Sequence, residues 1–173
     1  MKQFYLIFYL GLAGLLIGCA SSSSSGIELT VSRGDATAPY AGTYEGTVSL
    51  TSTADVVSVG TATNQRVESI SVRVTADGLA FLTVRGVTVS GVVDNDGNWG
   101  VQVSIDDMRS LLSDQTVARL GDAGCPFSIK AARIQGRIDP PAMRGEVGGV
   151  LKCKRAEVTV ATLSTAGTLV ASR

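Results

Sequence analysis

Residues 67–75 read VESISVRVT, and this stretch decides the class of fold. Its apolar members Ile70, Val72 and Val74 stand at every second position, with polar side chains between them. Successive side chains of a β-strand point to opposite faces, so this period of two predicts a half-buried strand rather than a helix. The branched side chains of valine and isoleucine favour strands as well. The stretch therefore predicts a sheet with one face in the core.

The same alternation recurs along the rest of the chain. Turn-forming residues separate the segments, at Asp77-Gly78, at residues 94–98 (DNDGN) and at Asp139-Pro140-Pro141. We predict an all-β domain of eight or nine antiparallel strands, arranged as a small barrel, with a two-sheet sandwich as the alternative. The further apolar positions expected to face its core are Tyr44, Val48, Leu50, Trp99, Val101, Val103, Ile105, Met143, Val147, Leu151, Ala156, Val158 and Val160.

Two stretches depart from simple alternation. Between Phe127 and Ile138 the apolar positions change from odd to even numbers, which predicts a β-bulge or a bend. Ser104 precedes Asp107 by three residues, and the apolar residues within 108–112 would then form one helical stripe. We therefore predict one short helix that Ser104 caps.

The N-terminus has the features of an export signal. Lys2 precedes an apolar run over residues 4–17, which is shorter than the ~20 residues of a membrane-spanning helix. The run ends in Leu16-Ile17-Gly18-Cys19, which resembles the lipobox of bacterial lipoproteins. The resemblance implies removal of residues 1–18 as a lipoprotein signal peptide and attachment of acyl chains such as palmitate at Cys19. Two or more such chains anchor a protein stably in a membrane.

The same resemblance implies a location and a domain organisation. Lipoproteins kept in the inner membrane carry aspartate after the lipidated cysteine. Ala20 stands there instead, so we expect the cell envelope, and its outer membrane if the source is Gram-negative. Residues 19–26 form a lipidated, serine-rich tether, and residues 27–173 a single β domain. Removal of Lys2 from the 15 basic residues leaves 14 against 15 acidic ones, a balance that excludes nucleic acid as a partner.

Two cysteines remain besides Cys19. Compartments beyond the inner membrane are oxidising, so Cys125 and Cys153 are expected to form a disulfide. Closing a loop of this length would stabilise the fold by ~3.6 kcal/mol in the chain-entropy model. The wide spacing of the pair and the absence of histidine from the chain argue against zinc or redox chemistry. We therefore predict a structural disulfide, with no metal ion and no cofactor.

The composition also limits the function. Because the chain has no histidine, Ser-His-Asp and Cys-His nucleophile systems are excluded, and we predict no catalytic residue and no enzymatic activity. Our first hypothesis is a lipid-anchored envelope protein whose β domain binds another envelope protein or takes part in envelope assembly. Gly42-Thr43-Tyr44 resembles the Gly-x-Trp that opens lipocalin barrels, with tyrosine in place of tryptophan. That resemblance implies the alternative, a carrier of a small apolar ligand in the barrel mouth.

Overall fold

The computed structural model describes residues 30–57, 60–104, 107, 127–155 and 158–173. Eight antiparallel strands follow one another around a closed barrel, and the last strand pairs with the first. The prediction of a small antiparallel barrel is confirmed, and the sandwich is not formed. The elements are a 3-10 helix (Ala38–Tyr40), β1 (Gly42–Val56), β2 (Gly60–Val74), β3 (Leu79–Val84), β4 (Val87–Val93), β5 (Asn98–Val103), β6 (Phe127–Asp139), β7 (Ala142–Arg155) and β8 (Val158–Ser172).

The period of two produces the core. On β2 the side chains of Ile70, Val72 and Val74 are buried, whereas the intervening Arg73 is exposed. The prediction was wrong for Val158, which is 64% exposed because it begins β8 at the end where the long strands extend beyond the core. Ile105 and Ala156 lie outside the described residues. The buried apolar side chains, besides those of β2, are Tyr44, Val48, Ala80, Leu82, Val84, Val89, Val93, Trp99, Val101, Val103, Ala132, Ile134, Ile138, Met143, Leu151, Cys153, Leu169 and Ala171.

The strands differ greatly in length. Strands β3, β4 and β5 have only six or seven residues, whereas the other five have 13 to 15. At ~3.3 Å per residue, the long strands extend roughly 25 Å beyond the short ones. β2 pairs with β1 along its whole length but with β3 only over Ile70–Val74. Among the described residues, all eight strands therefore meet near the end of the barrel where β1 begins, and the long strands continue past the short ones.

Local features of the sequence lie where they were predicted. The β6–β7 register shifts between Lys130 and Ala132, which confirms a bulge in the stretch where the apolar phase changes. Asp77-Gly78 lies in the turn between β2 and β3. In the turn between β4 and β5, the Asp94 carboxylate accepts hydrogen bonds from the backbone N–H groups of Asp96 (2.9 Å) and Asn98 (2.8 Å).

The predicted short helix falls largely outside the described residues. Ser104 and Asp107 exchange the two bonds of a capping box: the Asp107 N–H donates to Ser104 Oγ (3.2 Å), and the Ser104 N–H donates to Asp107 Oδ2 (3.3 Å). The apolar positions of the stripe (Met108, Leu111 and Leu112) lie outside the described residues. The signal peptide over residues 1–18 and the tether over residues 19–26 also lie outside them.

Candidate ligand cavity

One end of the barrel, where β1 begins, is covered by the segment that precedes it. We call this the sealed end, and the opposite end the mouth. The Gly34 N–H donates to the carbonyl of Val93 (2.8 Å), which ties the segment to the end of β4. The Thr37 side chain is fully buried, and its hydroxyl donates to the carbonyl of Ala76 (2.9 Å) in the β2–β3 turn. The segment therefore lies across the turns of the sealed end.

Tyr44 closes the barrel beneath this segment. Its side chain is fully buried, and its hydroxyl donates to the Tyr40 carbonyl (2.8 Å) at the end of the 3-10 helix. Arg173, just past β8, donates to the Ala41 carbonyl (2.7 Å), and its guanidinium lies 5.8 Å from the centre of the Tyr44 ring. Burial raises the pKa of Tyr44, and the charge of Arg173 partly opposes that rise. The tyrosine of the lipocalin-like tripeptide thus lies between the segment that precedes β1 and Arg173.

Trp99 fills the barrel close to the sealed end. Its side chain is fully buried, and its indole N–H donates to the Arg144 carbonyl (2.9 Å) on β7. The ring also lies directly against Gly145, where an added Cβ would stand only 2.7 Å from Trp99 Cζ2. Buried Met143 lies in the same half of the barrel, and buried Leu82 lies at its boundary with the space described next. This half is a packed core, as expected for Trp99.

A cavity of about 100 Å³ lies above this core, toward the mouth. An apolar cavity of about 150 Å³ binds benzene, so the smaller volume here suits a short alkyl chain. Its walls come from seven of the eight strands, since the inward face of each carries small or branched residues. The apolar side chains that line it are Val48, Leu50, Ile70, Leu82, Val84, Val103, Ala132, Ile134, Val147, Leu163 and Leu169.

A few polar side chains stand among these apolar walls. Ser52 and Thr165 share a hydrogen bond between their hydroxyls (3.1 Å). Arg66 and Glu68 lie on the inward face of β2 and line the cavity. The distance from Arg66 Nη1 to Glu68 Oε1 is 3.8 Å. Arg66 Nε is buried and has no hydrogen-bond partner among the described residues. Arg85, in the β3–β4 turn, adds a second guanidinium to the lining.

Arg66 and Glu68 were not among the sequence-predicted site residues, although the signal was present. The core-facing positions Ile70 and Val72 have even numbers, and the same period continued backward reaches Glu68 and then Arg66. Two charged side chains therefore lie on the apolar face of a strand. A charged residue in such a position is rarely buried without a partner.

The predicted disulfide can be followed at one of its two cysteines. Cys153 is buried on β7 and is disulfide-bonded. Cys125 lies outside the described residues, so its pairing with Cys153 stays a prediction, as does lipidation of Cys19. Strand register places Cys153 opposite Phe127, two residues after Cys125 in the chain. This neighbourhood is compatible with the predicted bond.

A second depression, of about 620 Å³, lies on the outer face of the barrel. Thr30 and Val31 form one wall, and outward-facing side chains of β6, β7 and β8 form the floor. Gln135 Oε1 is buried there without a hydrogen-bond partner in the described part of the chain. This groove lies at the beginning of the described chain, whereas the lumen cavity is enclosed by the barrel strands. The lumen is therefore the better-defined candidate site.

Within the described ranges, no three cysteine, aspartate or glutamate side chains lie close enough together to hold a metal ion. The same ranges contain no helix long and apolar enough to cross a membrane. Comparison of the chain with protein-family models, with curated proteins and with solved structures found no match.

Proposed function

We propose that this protein is a lipid-anchored component of the bacterial cell envelope whose barrel binds a small apolar ligand in its lumen. The observation that carries the proposal is the asymmetry of the barrel interior. One half is filled by Tyr44, Trp99 and Met143, whereas the other half contains a cavity with apolar walls near the mouth. Ligand sites in small barrels are concave, mostly apolar and located at the mouth.

The anchor part of the proposal comes from the sequence. The lipobox-like Leu16-Ile17-Gly18-Cys19 would attach the protein to the membrane through residues 19–26. The described chain then enters the barrel at the sealed end, where Gly34 and Thr37 are held by the turns. The mouth thus opens at the end of the barrel opposite to this entry point.

Native mass spectrometry of the full exported chain, released from a nonionic maltoside detergent, tests ligand binding. We expect a non-covalent additional mass that disappears on denaturation, and uptake of octan-1-ol when it is titrated. In Thr165→Phe an aromatic ring would enter the cavity and abolish both signals, because Thr165 lines it. In the control Thr168→Phe the ring projects from the exposed outer face of the same strand, so both signals should persist. A wild-type chain that carries no ligand and takes up no octan-1-ol contradicts the proposal.

A protein partner is the second candidate function, and one observation favours it. Within the described residues, positions 60–69 of β2 are paired with β1 only, so one edge of this stretch offers backbone donors and acceptors. Val67, in the middle of the stretch, is 66% exposed. An extended segment of another envelope protein could add to such an edge as a further strand.

A photo-crosslinking amino acid at Val67 tests this second function in intact cells. The matched control is Val170, which is also exposed but lies on β8, a strand paired on both sides. A crosslinked envelope protein from Val67 and none from Val170 would support docking at the edge. Equal labelling from both positions, or none from Val67, would argue against it.

A further inference from the structure

We infer that the ligand of the lumen is an amphiphile with a carboxylate head, which Arg66 binds while the apolar chain enters the cavity. This inference rests on the proposed ligand-binding function and specifies the class of ligand. It follows from three properties of the cavity: an unsatisfied guanidinium donor, the position of that donor near the mouth and a volume that suits a short apolar chain.

The unsatisfied donor is the first property. The Arg66 side chain is only 32% exposed, and its Nε is buried without a hydrogen-bond partner among the described residues. Glu68 does not satisfy it, because their closest approach is 3.8 Å and involves Nη1. Hydrogen bonds of this type are ~2.7–3.2 Å long. A guanidinium presents its N–H donors as a planar fork, which matches the two oxygens of a carboxylate.

The position of this donor is the second property. In strand register, Arg66 stands opposite Leu50 and Glu68 opposite Val48, so Arg66 is the nearer of the two to the mouth.

The apolar walls are the third property. Leu50, Ile70 and Leu82 are among the apolar side chains around a volume of about 100 Å³, which Arg66 also lines. A short alkyl chain fits this volume, whereas a longer chain that pointed inward would meet the packed core around Trp99. A head that stays beside Arg66 and a chain that points toward the sealed end describe a fatty-acid-like molecule.

Octanoate labelled with ¹³C at its carboxyl carbon, and octan-1-ol as the matched uncharged probe, test the inference on the full chain in maltoside detergent. Calorimetry, with heats of dilution into the same micelles subtracted, should show that the wild-type chain prefers octanoate. Arg66→Gln should weaken octanoate binding by about ten- to a hundredfold, the range of a hydrogen bond to a charged group. Its affinity for octan-1-ol should not change.

The carboxyl resonance supplies a readout that a merely structural role of Arg66 would not affect. A neighbouring guanidinium favours the carboxylate form, so bound octanoate should titrate at a lower pH than octanoate in empty micelles. Arg66→Lys should keep part of this shift, because it keeps the charge. The control Arg73→Gln removes an outward-facing arginine of the same strand, whose guanidinium lies 4.5 Å from the Phe81 ring centre. It should bind octanoate like the wild type.

The outcomes separate this inference from the function on which it rests. Equal affinity of the wild type for both probes, or wild-type octanoate affinity in folded Arg66→Gln, overturns the carboxylate site while an apolar-ligand function survives. Failure of both probes to bind contradicts the inference and the proposed function together. Circular dichroism of each variant establishes that the barrel is folded.

Discussion

Replacement of Gly145 by alanine should destabilise the barrel through a contact with the single tryptophan. An added Cβ would stand 2.7 Å from Trp99 Cζ2 and 3.2 Å from the Gln135 carbonyl oxygen, both too close for an ordinary contact. The indole cannot move away easily, because it is fully buried and its N–H donates to the Arg144 carbonyl. Overpacking of a rigid core costs about 1–3 kcal/mol. A displaced ring would also lose a hydrogen bond with a net value of about 1 kcal/mol.

The control is Gly148→Ala on the same strand. An added Cβ at Gly148 meets no atom within 4 Å. Alanine gains about 0.5–1 kcal/mol over glycine inside a strand through the entropy of the unfolded chain. Because both variants share this gain, the difference between them isolates the clash at Gly145. We expect Gly145→Ala to be less stable than Gly148→Ala by about 1–3 kcal/mol.

Urea denaturation measures this difference directly. Trp99 is the only tryptophan of the chain, so its fluorescence reports unfolding of the core that contains it. Coincident unfolding midpoints for the two alanine variants would refute the tight contact. A double-mutant cycle adds a second check, followed by circular dichroism: in a Trp99→Phe background the smaller ring leaves space, so the cost of Gly145→Ala should fall by at least half.

Three further predictions concern the sealed end and the anchor. The pKa of Tyr44 is raised in the folded protein, so this tyrosine ionises first in the unfolded chain. The unfolding free energy of the wild type, measured by urea denaturation, should therefore fall relative to that of Tyr44→Phe as the pH rises above 10. Thr37→Val leaves the Ala76 carbonyl without its buried donor and should lower the unfolding free energy, followed by thermal melts, by about 1–2 kcal/mol. The control Thr168→Val, at an exposed position, should change it by less than about 0.5 kcal/mol. Cys19→Ser should abolish metabolic labelling with an alkyne analogue of palmitate, and persistent labelling would contradict the lipobox prediction.

Much of the site could not be predicted from the sequence, for reasons that differ between residues. Glu68 and Arg66 continue the period of Ile70 and Val72, so their inward direction was readable. The distance between the two side chains and the burial of Arg66 Nε could not be read from the sequence, because both depend on the strands that surround them. The role of Thr37 had no signal at all. Its hydroxyl is bonded to a turn 39 residues later in the chain.

The sequence by itself determined the features that arise within a few residues. Alternation decides which side of a strand is apolar, and the change of phase between Phe127 and Ile138 predicted a bulge or bend in the stretch where the structure has one, between Lys130 and Ala132. Turn residues such as Asp77-Gly78 marked where strands end. The lipobox-like segment and the cysteine pair stay predictions from the same local patterns.

Only the tertiary structure decided that the sheet closes and that its interior is half filled. Closure requires β1 to pair with β8, for example Thr47 with Val170, and no local pattern encodes a pairing across more than a hundred residues. The cavity arises because three short strands stand among five long ones. Inward-facing side chains near the sealed end therefore pack against Trp99, whereas those nearer the mouth surround open space. Side-chain direction is a property of one strand, whereas filled or open volume is a property of all eight.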